Sequence, residues 1–188
     1  MIMRLVVLLV VCSTLAGCAG SNAARMGQRK DVFQVVREGA PVGADEVPVT
    51  ISASIKTHNK ESGVLFEPAK HGSDDYLLVV DINGQSLNLP VQITEETTVT
   101  DPQTDPESGT GLRYSYKATV GLQPGRYNVT AYLPTENVLT NQEVQITAGS
   151  RNITVKPLYR GLAGRKPASL RWVPTFRDGV SGLNIVAN

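Results

Sequence analysis

The chain is poor in cysteine and in aromatic residues, and it carries almost no excess charge. Its two cysteines, Cys12 and Cys18, both sit near the start of the 188 residues. From Ala19 onward there is therefore no disulfide and no thiolate ligand, and stability has to come from a packed core. Aromatic residues make up 5% of the chain, with a single tryptophan, Trp172, which leaves little material for stacking nucleobases. Lysine and arginine total 18 against 17 aspartates and glutamates, so the basic surface a nucleic-acid binder needs is missing. The longest apolar run, Leu5 to Val11, is far shorter than the ~20 residues that cross a bilayer core. A Gly-x-Ser-x-Gly nucleophile elbow, a phosphate-binding loop and a dinucleotide fingerprint are all absent.

What is present begins at the N-terminus. Arg4, the apolar run and a string of small residues have the layout of an export signal. They end in Leu15-Ala16-Gly17-Cys18, which resembles the lipobox of bacterial lipoproteins. That resemblance implies cleavage between Gly17 and Cys18, a diacylglyceryl group on the Cys18 thiol, further acylation (palmitate among the fatty acids) and retention at a membrane. It makes residues 1–17 a signal peptide and Cys18 the one assigned functional residue, a lipidation site. Ala19 stands where an aspartate would signal inner-membrane retention in a Gram-negative lipoprotein, so for such a source the implied location is the cell outer membrane, which bounds the periplasm, in either leaflet. Loss of the signal removes one charged residue, Arg4, and leaves equal numbers of each sign.

Residues 18–45 read as a lipidated N-terminus and tether, with a basic cluster at Arg25, Arg29 and Lys30. Within it, Asp31 to Glu38 is expected to form a short strand or helical turn. A free chain of that length spans ~30 Å on average.

Residues 46–159 read as all-β, a single sandwich of about seven or eight strands, because no stretch sustains a 3.6-residue apolar repeat. Val49, Ile51, Ala53 and Ile55 alternate with Thr50, Ser52, Ser54 and Lys56, which predicts a half-buried strand with Lys56 outward. Gly63 to Phe66 is expected as a short second strand and Tyr76 to Ile82 as a central one. Asn83-Gly84 is a strong two-residue hairpin signal, since both residues tolerate positive φ. Gln85 to Ile93 follows as the returning strand, with Pro90 marking an edge or a bulge. Thr94 to Gly111 reads as a polar loop. Strands then resume with Tyr114, Tyr116, Ala118 and Val120 on one side, and with Tyr127, Val129 and Ala131 inward. Between them Pro124-Gly125 predicts a type II turn, and Gln142 to Thr147 with Asn152 to Leu158 predicts one more hairpin. The tail, residues 160–188, offers Leu170 to Val173 and Leu183 to Val186 as further short strands. Packing on its own domain is the expectation, with a partner-docking arm built on Trp172 as the alternative.

The run Leu122-Gln123-Pro124-Gly125-Arg126-Tyr127-Asn128-Val129, followed by a Gly149 turn and Ile153 to Leu158, resembles the closing part of transthyretin-like or PEGA-type β-sandwiches. These modules are mostly spacers and binding domains of exported proteins. The resemblance covers Leu122 to Leu158 and implies a non-catalytic role.

Candidate chemistry is sparse. His58 and His71 lie in loop-like sequence with Glu61, Asp74 and Asp75 near them, but zinc needs three or four ligands. Asp101, Asp105 and Glu107 lack the spacing of an EF-hand. No catalytic, cofactor-binding or metal residues are assigned, and no cofactor. The expected function is that of a lipid-anchored envelope lipoprotein, not an enzyme, acting as a binding or assembly module. Its partners would be the membrane and an envelope protein or glycan, with no nucleic acid. The alternatives are an accessory subunit of a surface filament or secretion complex, and a metal-dependent or carbohydrate-active enzyme using His58, His71 and the acidic residues.

Overall fold

A computed structural model describes residues 26–37, 39–58, 71–161 and 173–188. Cys12, Cys18, Arg25, Glu61, the expected strand at Gly63 to Phe66 and Trp172 lie outside the described residues, as does most of the expected strand at Leu170 to Val173. Ten strands follow in order: β1 (Gln34–Val36), β2 (Val47–Thr57), β3 (Val79–Ile82), β4 (Gln85–Asn88), β5 (Val91–Thr98), β6 (Gly109–Leu122), β7 (Gly125–Leu133), β8 (Val138–Ile146), β9 (Asn152–Tyr159) and β10 (Val180–Ala187). They build an all-β sandwich. One sheet runs β1-β6-β2-β9-β10, with β5 also on β6, and the other runs β4-β3-β7-β8. Helical structure among the described residues is confined to short 3-10 turns, at Pro134–Glu136 and Phe176–Asp178.

The alternating residues face one shared core. Val49, Ile51 and Ile55 of β2, Tyr114, Tyr116 and Val120 of β6, and Val129, Ala131 and Leu133 of β7 are all buried. Tyr76 and Leu78 are buried as well, but they precede β3, whose pairing begins only at Val79. Asn83 and Gly84 both take positive φ, 49° and 93°, and Ile82 pairs with Gln85 across them. That is the expected hairpin.

Strand number exceeds the expected seven or eight for three physical reasons. The segment read as tether supplies β1, which pairs with β6 through Val35 and Val120, and its Phe33 enters the core. The tail supplies β10, antiparallel to β9. Finally, Gln85 to Ile93 is two strands in two sheets: β4 lies on β3 and β5 on β6. Pro90 sits at the crossing, where its missing N–H leaves no donor unpaired. The polar loop also shrinks, because Thr94 and Glu95 pair with Arg113 and Leu112, and Glu96 to Thr98 pair with Gly111 to Gly109.

Two expected turns are corners between the sheets. β6 and β7 belong to different sheets, and Gly125 opens β7 opposite Ile146 without the positive φ of a type II turn. β8 and β9 likewise part company after Ile146. β9 instead pairs in parallel with β2, Ile51 beside Ile153.

Candidate functional site

Three polar assemblies stand out, the first of them built by strand register. The first lies on the outer face of the four-stranded sheet. Ser86, Asp81, Thr130 and Asn141 occupy one cross-strand row through β4, β3, β7 and β8. Asp81 is buried because the N-terminal segment crosses over it. Its carboxylate accepts from Gly27 N at 3.0 Å, Gly84 N at 2.8 Å and Ser86 Oγ at 2.7 Å. Next in the row, Asn141 Nδ2 donates to Thr130 Oγ1 at 2.7 Å. At the hairpin, Asn83 Oδ1 accepts from Asn128 N at 2.8 Å. Between this row, Arg29 and Asn128 opens a polar cleft of about 420 Å³. That is the size of a small-ligand pocket, although such pockets are mostly apolar; a polar lining suits a polar ligand.

The chain leaves this cleft as a strap. Arg29 N donates to Gly84 O at 3.0 Å. Gln85 then holds the strap at its bend: Oε1 accepts from Val32 N at 2.7 Å and Phe33 N at 3.1 Å, and Nε2 donates to Phe33 O at 2.9 Å. The strap thus runs from the outer face of one sheet, around the β4 edge, to β1 in the other.

The second assembly joins the two histidines. His71 Nδ1 is 3.3 Å from His58 Nδ1, and the rings meet edge to face. His71 Nε2 pairs with Glu136, which also accepts from Tyr76 OH at 3.1 Å. Hydrogen bonds from His71 and Tyr76 and a contribution from the Val180 backbone hold the Glu136 carboxyl below its ordinary range, against the opposing effect of burial. Burial and the Glu136 charge push the Tyr76 phenol far up, so Tyr76 stays protonated and donates to Glu136. Asp74 and Asp75 are exposed. Both ring nitrogens of His71 are engaged. Among the described residues no three His, Cys, Asp or Glu side chains converge on a metal-holding geometry.

The third assembly corrects the reading of Lys56. Its side chain is fully buried although it projects from the outer face of β2. The loop after β5 and Phe176 cover it there. Nζ donates to Thr98 Oγ1 at 3.0 Å, Glu107 O at 2.8 Å and Gly109 O at 2.7 Å, and lies 5.1 Å from the Phe176 ring centroid. Beside it Arg113 binds Glu96 and Glu107, each at 2.7 Å, and Tyr159 OH donates to Glu107 Oε1 at 2.6 Å. Hydrogen bonds from Arg113 and Thr98 lower the Glu96 carboxyl to about 2. The loop carboxylates are committed internally too: Asp101 accepts from Gln103 N, and Asp105 from Thr100 Oγ1 and Glu107 N.

The structure therefore brings His58 and His71 together, adds Glu136 to them, and leaves the acidic loop in a separate, self-satisfied knot. The cleft was the part sequence reasoning missed. Its one visible signal was Asp81, a lone charge inside an apolar run. No helix among the described residues is long and apolar enough to cross a membrane. Comparison with protein-family models, with curated proteins and with solved structures gives no match to this chain.

Proposed function

We propose that the protein is a lipid-anchored lipoprotein of the cell envelope, held through Cys18 at the outer membrane, whose β-sandwich binds a polar ligand or partner without transforming it. The observation that carries this reading is the lipobox-like Leu15-Ala16-Gly17-Cys18 placed just ahead of a strap that docks on a polar cleft. A cleft whose carboxylate is saturated by three donors offers amide, hydroxyl and guanidinium groups for recognition, and no free acid or base for catalysis. An envelope glycan or protein segment fits that chemistry. The transthyretin-like resemblance of Leu122 to Leu158 points the same way.

Cys18→Ala tests the anchor. Fractionation of cells making the variant is expected to find it soluble or unprocessed, whereas the parent chain partitions with membranes. Unchanged membrane partition of the variant would overturn the reading. The enzyme alternative draws on the contact between His58 and His71. A transition metal bound at sub-micromolar affinity by the parent, and lost in the His58→Ala/His71→Ala double variant, would replace the non-catalytic reading with that one.

A further inference from the structure

From the path of the N-terminal strap we infer that the protein stands on its membrane with the outer face of the four-stranded sheet, the cleft side, toward the lipid headgroups. The inference rests on the proposed anchor at Cys18 and deepens it. If residues 18–45 were all tether, the domain would sit ~30 Å from its anchor and tumble freely. The structure shortens that leash. Gly27 is hydrogen-bonded to Asp81 and Arg29 to Gly84, so the chain is fixed to the sheet from the cleft rim onward.

Between Cys18 and Met26 lie only the seven residues Ala19 to Arg25. Eight residue steps reach at most about 28 Å when fully extended, and about 14–17 Å on average as a free coil. A folded body of ~150 residues has a radius of gyration of about 15 Å and is thus some 40 Å across. The leash is shorter on average than the domain is wide. An attachment of this length at one face keeps that face near the lipid and the opposite sheet away from it.

Charge contributes little to the preference. Arg29 is paired with Asp31 at 2.9 Å, and Arg126 approaches Glu143 at 3.8 Å. Lys30 is exposed beside them. The orientation is therefore set by chain length, and salt should barely change it. The surface that meets the headgroups includes Asn128 and Glu143 of the neighbouring β7 and β8. The face turned away carries Lys156 of β9 and Asn184 of β10, which oppose each other in register.

The test uses the full acylated chain reconstituted in phosphatidylethanolamine/phosphatidylglycerol vesicles. After the signal is removed the only thiol is Cys18, which the lipid blocks, so single cysteines can be introduced and spin-labelled. Two variants, Asn128→Cys and Lys156→Cys, place labels on opposite faces. Relaxation by a nickel chelate carried on lipid headgroups is expected to be severalfold stronger at position 128 than at 156, at both low and high salt. Twenty Gly/Ser residues inserted after Ala19 should remove the difference. Equal relaxation in the vesicle-bound parent, or stronger relaxation at 156, overturns the orientation while leaving the anchor intact. Failure of the chain to stay on vesicles overturns both.

Discussion

At the scale of single residues, Lys56 shows how a charge becomes part of a core. A buried ammonium is costly unless its protons are all used, and here three oxygens use them. Phe176 closes the site because Gly111 leaves room. A Cβ on Gly111 would lie 2.4 Å from Thr57 O and 2.7 Å from Phe176 Cε2. Lys56→Met is expected to lose about 3 kcal/mol of stability, because it strands two buried carbonyls and the Thr98 hydroxyl; urea unfolding measures this. A stability change within ~0.5 kcal/mol would mean that the knot is ornamental. Glu96 supplies the pH dependence. Its folded value of about 2 lies below the ordinary 4.5, so its ion pair with Arg113 contributes fully above pH ~4.5. That contribution fades as the pH falls toward 2. The melting temperature of the parent should drop across that window more steeply than that of Glu96→Gln. Identical acid profiles would refute the assignment. The carboxylate is partly exposed, so the effect is a modest one.

At the scale of elements, the tail is the informative case. β10 pairs with β9 from Val180 to Ala187, and Phe176 just ahead of it is fully buried over Lys56. Removal of Arg160 to Asn188 therefore strips a sheet edge and opens the Lys56 knot. The shortened chain is expected to lose cooperative unfolding by circular dichroism; a folded product would restore the docking-arm reading of the tail. Alternation made β2, β6 and β7 legible, since Val49, Tyr114 and Val129 repeat at period two. Asn83-Gly84 made the β3–β4 hairpin legible because its local chemistry admits little else. What stayed hidden was which sheet each strand joins. Pro90, Pro124 and Gly149 punctuate the chain identically whether a strand folds back or crosses over. That choice is made by distant partners, such as Ile153 finding Ile51. The histidine cluster was hidden for the same reason. His58 and His71 were visible as a pair, but Glu136 reaches His71 from the 3-10 turn between β7 and β8. Lys56 was misread because periodicity reports the face of a sheet and says nothing about what later covers it.

At the scale of the whole molecule, the sandwich is tied together by its extremities. The strap fastens one sheet's outer face to β1 of the other, and Asn188 exchanges backbone hydrogen bonds with Asn152 at 2.9 and 3.0 Å. β2 forms early in the sequence, yet one of its edges is completed only by β9, in parallel. Partners so distant in sequence fold slowly, because loop-closure entropy is lost before the contact repays it. The timing of synthesis follows from this. A ribosome delivers β2 some hundred residues before β9, at about 5–20 residues per second. For several seconds, then, every growing chain presents an unfinished β edge. Such an edge invites pairing with any neighbouring strand until Asn152 to Tyr159 emerges to cover it.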